Sequence, residues 1–217
     1  MSTASAAVAG RPRDPGVDAR VAEAAVALFG EVGWAGFNVE AVARRAGVGK
    51  ASIYLRWPTK EALLDAALEL RMPTIEEIHT GSARGDLVEL VRQLVLLYLG
   101  PSGSAAMRLA LDGAMVPEIH ARREAIGRAQ IQAARSIVKR GIERGELPRS
   151  TSVTMLLDAL CGGAMMHAKS TPPGLREKLA AGADEYAARF VEFILGFTLN
   201  VREPPAGGLS PATRRPG

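Results

Sequence analysis

A chain of 217 residues, 47% hydrophobic but only 5% aromatic, suits one small domain leading into a larger one, and its wealth of Ala, Leu, Val and charged residues favours helices over sheets. A formal charge of +4 suits a polyanion partner, because Lys and Arg gain by releasing counterions from phosphate. Cys161 is the single cysteine, so no intrachain disulfide forms, no apolar run approaches the roughly 20 residues that span a bilayer, and the opening MSTASAAVAGRPRDPG lacks the pattern of a secretion signal, so a cytoplasmic protein is expected.

The first 15 residues and the stretch EPPAGGLSPATRRPG at the end are rich in Pro, Gly, Ser and Ala, and both read as mobile tails. Between them apolar residues recur at helical spacing. Val21, Ala24, Ala25, Leu28, Phe29 and Val32 form one face of a first helix that Gly33 stops. Asn38 is a good N-cap for a second helix with Val39, Val42, Ala43 and Ala46 inside. Gly47 and Gly49 bracket Val48 in a tight turn, and a third short helix runs through Ile53 to about Arg56 before Pro58. Thr59 caps a fourth helix carrying Leu63, Ala67 and Leu70, which runs out near Pro73.

A fifth helix is set by Leu87, Leu90, Val91, Leu94, Leu97 and Tyr98, and Gly100, Pro101 and Gly103 break it. Helix six covers roughly Ala105 to Met115, and Pro117 opens a long helix seven through Ile126, Ile131, Val138 and Ile142 to Gly145. Helix eight spans about Ser152 to Lys169, and Pro172 and Pro173 force a non-helical link to a ninth helix near Asp184 to Val201. The small residues Ala159, Gly162 and Gly163 of helix eight permit close backbone approach, and the stripe Phe190, Phe193, Ile194 and Phe197 of helix nine suits that face.

Residues 38–57 have the form of a helix-turn-helix, with Val42, Ala46, Val48, Ile53 and Trp57 inward and Lys50, Ser52, Tyr54 and Arg56 left available on the second helix. The segments ALFGEVGW, AVARRAGVGKASIY and WPTKEALL, in order over about residues 18 to 65, resemble the TetR family of transcriptional regulators. The resemblance implies an all-α protein of about nine helices, with mobile tails at 1–15 and 203–217, a DNA-binding domain at 16–60 and a regulatory and dimerisation domain at 61–202. It further implies a homodimer on a near-palindromic DNA operator, released by a small-molecule effector.

Carried over by position, Asn38 and Lys60 fall where family members grip phosphates, and Lys50, Ala51, Ser52, Tyr54 and Arg56 fall where the recognition helix meets DNA. Lys50 suits guanine O6 or N7, and Ala51 suits a thymine methyl. Three residues depart from the pattern: Gly49 replaces a capping Ser or Thr, Glu40 replaces an Arg that some members hold against a base, and Arg56 stands where His or Tyr is common. The resemblance also implies a ligand pocket in the C-terminal part, for which Met107, Leu111, Met115, Met155, Met165 and Met166 are lining candidates and Tyr98, Asp112, His120 and His167 polar anchors. The bland alternative is that these residues are ordinary core.

No metal, cofactor or catalytic role is expected, since His79, His120 and His167 are far apart in sequence and no G-x-S-x-G, phosphate-cradling loop or His and Cys pair is present. A second reading, a helical binding protein or enzyme that keeps the helix-turn-helix as scaffold, predicts no salt-dependent affinity for DNA.

Overall fold

The computed structural model describes residues 15–72, 77–112 and 117–200, so the tail segments 1–14 and 203–217 lie outside the described residues. All regular structure among the described residues is helical. The chain runs α1 (Pro15–Gly36), α2 (Val39–Ala46), α3 (Lys50–Tyr54), α4 (Lys60–Arg71), α5 (Ala83–Leu99), α6 (Gly103–Asp112), α7 (Pro117–Glu143), α8 (Val153–Ser170), α9 (Arg176–Ala181) and α10 (Ala183–Asn200).

Two apolar cores organise these helices. The first gathers Val21, Ala25 and Phe29 of α1, Val42 of α2, Ile53 of α3 and Leu63, Leu64 and Leu68 of α4 around Phe37. Each fully buried Val, Leu, Ile or Phe side chain contributes about 1.5–3 kcal/mol. Ala105 and Leu109 of α6 belong to the same core. α6 approaches α1 so closely that a Cβ on Gly30 would stand 2.9 Å from the Ala105 nitrogen, and this seam therefore has no room for a side chain. α1 does not simply stop at Gly33: that residue takes φ +66°, outside the helical range, the helix kinks there, and one further turn follows to Gly36. Val32, just before this break, and Leu70, in the last turn of α4, are 43% and 59% exposed although the periodicity puts both on buried stripes, because each sits where its helix is ending.

The second core is built on α5. Leu87, Leu90, Val91 and Leu94 meet Ile137 and Val138 of α7, Leu156 and Leu160 of α8 and Ala187 and Val191 of α10. Ser82 and Ser152 accept hydrogen bonds from Gly85 and Met155 at the N-termini of α5 and α8, satisfying donors that have no partner inside the helix. α5 and α6 meet at 97°. A Cβ on Gly103 at this corner would run into the Tyr98 carbonyl, so only glycine allows the turn. No single helix among the described residues is long and apolar enough to cross a membrane.

Asp86 on α5 is fully buried. Its Oδ1 accepts from the Thr80 amide at 2.7 Å and the Thr80 hydroxyl at 2.8 Å, and its Oδ2 meets Arg140 of α7 at 3.2 Å. Burial pushes its pKa up, but the Thr80 donors and the Arg140 guanidinium together outweigh that and hold it below the usual carboxylate range. The start of α5 is thereby tied to the end of α7.

Two expectations for the C-terminal part change. The link after Pro172 is not wholly irregular: Pro173–Leu175 form a 3₁₀ turn that leads into the short α9, because proline is tolerated at the first positions of a helix where its missing N–H costs nothing. Ile131, placed on the inner stripe of helix seven, is 58% exposed. Among the described residues, Ala134, Ile137 and Val138 in the C-terminal half of α7 are buried in the second core with Ile142 packed against it, and the Ile126 side chain lies outside the described residues.

Candidate nucleic-acid interface

α2 begins where Asn38 Oδ1 accepts from the Ala41 amide at 2.8 Å, and Asn38 Nδ2 donates back to the Gly36 carbonyl at 3.1 Å. It ends at Gly47, whose left-handed φ of +66° turns the chain while the Val48 amide donates to the Ala43 carbonyl at 3.0 Å. Gly49 supplies no side-chain cap to α3, as its replacement of Ser or Thr implies. Arg45 on α2 makes two hydrogen bonds, 2.7 and 2.8 Å, to the carboxylate of Glu31 on α1, and these hold the Glu31 carboxyl below its usual range. The two-helix unit is thus fixed to α1 by apolar contact and by a bidentate ion pair.

Five of the seven predicted DNA-contacting residues lie on α3 or just after it. Lys50, Ala51 and Tyr54 are exposed, and the Lys50 ammonium lies 5.9 Å from the Tyr54 ring centre and 3.8 Å from Glu40. Glu40, which departs from the family pattern, therefore draws Lys50 toward α2 in the unbound chain. Arg56 is turned away from the outer face. Its Nε meets Asp18 of α1 at 2.7 Å, and its Nη1 donates to the Ser52 hydroxyl at 2.8 Å and the Ser52 carbonyl at 3.0 Å. Arg56 and Ser52 thus serve the attachment of α3 to α1. Nothing in the spacing of the sequence marks Asp18 as their partner.

Asn38 and Lys60 stand at the N-termini of α2 and α4, where unpaired backbone amides favour an anion. The Lys60 ammonium lies 3.9 Å from the Trp34 ring centre, a cation–π contact that positions its charge beside the α4 N-terminus. Trp34 also stacks on Phe37. Trp34 and Trp57 are only partly buried, packed against the edge of the first core.

The residues expected to line a ligand pocket have differing surroundings among the described residues. Met155 and Met166 are 73% and 60% exposed on the outer side of α8, and Leu111 is 61% exposed at the end of α6. His120 is exposed and 3.4 Å from Glu124 on its own helix. Met115 lies outside the described residues, Met107 and Met165 are half-buried, and Asp112 faces the Gly33 kink and Arg108. Tyr98 packs against the second core, where burial and nearby Cys161 raise its pKa. His167 stacks on Tyr186 at 4.2 Å, and Tyr186 stacks on Phe190. Helical spacing does not distinguish a cavity lining from a core or from a helix's outer face. A cleft of about 420 Å³ lies between α1 and α4, lined by Asp18, Ala22, Trp57, Leu63, Ala67 and Leu70 among others.

Of the residues expected at a dimer interface, Phe190 is used within the chain: its ring fills the space over Gly163, so that a Cβ there would collide with it. Ile194 packs against the second core, and the Phe197 side chain lies outside the described residues. Ala159 and Phe193 are exposed, Phe193 at 61%, and Gly162 has open space before it. Together with Met155 and Met166 they give α8 and α10 an exposed apolar surface.

A capped helix, a left-handed glycine turn and a second helix with an exposed outer face on a helical body define a helix-turn-helix DNA-binding regulator. Residues 21–67 match the family described as bacterial regulatory proteins of the TetR family, and residues 77–189 match the tetracyclin repressor-like C-terminal domain. The chain is 33% identical over 149 residues to the HTH-type transcriptional regulator AqdR of Rhodococcus erythropolis, covering 68% of this chain and 71% of that protein. It is 30% identical over 158 residues to the HTH-type transcriptional regulator YdeS of Bacillus subtilis, covering 70% of this chain and 78% of that protein. Its fold is similar to PfmR of Thermus thermophilus (TM-score 0.65, 20% identity, 81% of this chain and 94% of that one). It is also similar to FadR of Bacillus subtilis, solved in complex with stearoyl-CoA (TM-score 0.62, 19% identity, 81% and 96%). The chain belongs to the TetR family of transcriptional regulators, with an N-terminal DNA-binding helix-turn-helix and a C-terminal ligand-binding domain.

Proposed function

We propose that this regulator is a cytoplasmic repressor that binds a near-palindromic operator as a homodimer and is released by a small molecule. The observation that carries the DNA half of this reading is the exposed Lys50, Ala51 and Tyr54 surface on a helix whose inner side is anchored by Ile53 in the core and by the contact of Arg56 with Asp18. A dimer would place two copies of α3 in successive major grooves about 34 Å apart. The exposed apolar residues Met155, Ala159, Met166 and Phe193 on α8 and α10 support pairing through that face.

Residues 16–60 act in this reading as the DNA-binding part and 61–202 as the regulatory part. α4 and α6 couple them, because both contribute side chains to the core that holds α3 in place. An effector that shifts either helix would change the spacing of the two recognition helices and lower operator affinity. A small molecule that binds tightly and leaves operator affinity unchanged would refute the coupling.

The DNA reading is tested by titrating DNA from upstream of the chain's own gene across salt concentrations with the wild type, Lys50→Ala and Tyr54→Ala. Selective binding that weakens with salt and falls at least about tenfold in both variants, with unchanged melting, is expected. Weak, unselective binding shared by all three proteins would favour the scaffold reading instead.

A further inference from the structure

Ile53 is the residue of α3 that enters the core, at 1% exposure. At about 100° per residue, the positions two before and two after it, Ala51 and Leu55, project from the opposite side of the helix. The Leu55 amide donates to the Ala51 carbonyl at 3.1 Å, so helical register extends through Leu55 and its side chain lies one turn beyond that of Ala51. Leu55 is 86% exposed. An isolated exposed leucine ordinarily needs no explanation, but this one occupies the outermost line of the helix that meets DNA.

The charged groups beside that line are drawn off it. Lys50 leans toward Glu40 and the Tyr54 ring, and Arg56 is bound to Asp18 and Ser52. The centre of the outward face is therefore apolar and uncharged, a methyl followed one turn later by an isobutyl group. A major groove offers one apolar group to such a face, the C5-methyl of thymine.

We propose that Leu55, with Ala51 behind it, is a specificity residue that reads thymine in each operator half-site through the C5-methyl group. This rests on the reading of α3 as the recognition helix. Because the contact depends on shape and dehydration, it discriminates thymine from cytosine, which lacks the methyl and presents an amine at the neighbouring position. Leu55 adds this preference to whatever hydrogen bonds Lys50 and Tyr54 make.

The test uses the full chain and operator duplexes recovered from a random pool by selection. Each thymine of the selected half-site is replaced singly by deoxyuridine, which removes the methyl and leaves all base-pair hydrogen bonds in place, and affinity is read by fluorescence anisotropy at fixed salt. At one or two positions per half-site, deoxyuridine should weaken binding by about fourfold, the factor that burial of one methyl carries. Leu55→Ala should bind thymine and deoxyuridine equally there, while keeping the wild-type melting temperature and salt dependence. Deoxyuridine duplexes that bind within experimental error of the thymine duplexes at every position would overturn the proposal, as would a Leu55→Ala variant that keeps the wild-type ratio. A general loss of affinity with that ratio intact would assign Leu55 to the sugar-phosphate backbone and also overturn it. Failure of the wild type to select any sequence would instead overturn the DNA-binding reading on which the proposal stands.

Discussion

Replacing Asp86 examines how the two ends of the C-terminal bundle are held. The carboxylate is fully buried, accepts two hydrogen bonds from Thr80, and faces Arg140 at 3.2 Å and Arg144 at 3.8 Å. Asp86→Ala strands these donors. Removing one partner of a buried ion pair costs about 3–5 kcal/mol, and the 27% exposure of the Arg140 side chain lets water take up part of the lost interaction, so the lower end of about 3 kcal/mol applies. For a chain of this size that lowers Tm by about 6–12 °C. Asp86→Asn keeps an oxygen for Thr80 but loses the charge, and should cost about 1–2 kcal/mol.

The pH dependence has a definite sign. The folded pKa of Asp86 is depressed, so its contribution is fully present above the unfolded value of about 3.9 and is lost as pH falls through the lower folded value. The gap in Tm between wild type and Asp86→Asn should therefore be wide at pH 7 and close as the pH drops below about 4. Calorimetric scans across this range give both quantities. Variants that melt within about 1 °C of the wild type at pH 7, or a gap that widens toward acid, would refute the account of this cluster.

Two further outcomes follow from the recognition unit and the apolar face. Gly47 has open space around it but φ of +66°, so Gly47→Ala should destabilise by about 1–2 kcal/mol through backbone strain alone, whereas Gly49→Ser, at an unstrained position that lacks a side-chain cap, should stabilise by a few tenths of a kcal/mol; urea titrations of both variants check the opposite signs. The proposed pairing through this face predicts that Phe193→Glu, altering a residue 61% exposed on α10, leaves helix content unchanged, sediments as a monomer where the wild type sediments as a dimer, and weakens operator binding at least about tenfold. A dimer that survives this change would show that the copies pair elsewhere.

The order of helices and the DNA-reading segment are legible in the amino-acid sequence because they depend on local physics. Apolar spacing marks the inner faces, Asn38 and Thr59 mark helix starts, and a glycine at position 47 marks the turn, each through contacts within a few residues. Contacts between distant segments are not encoded this way. The engagement of Arg56 by Asp18, of Arg45 by Glu31 and of Lys60 by the Trp34 ring joins positions many residues apart, and only the packing of α1 across the helix-turn-helix brings them together. The exposure of two expected lining residues has the same origin. A methionine at helical spacing is compatible with an inner or an outer face, and the choice is made by which side of α8 meets α5, leaving Met155 and Met166 outside. Helix identity follows from neighbours in the chain, while the partners of charged and adaptable side chains follow from how the helices cross.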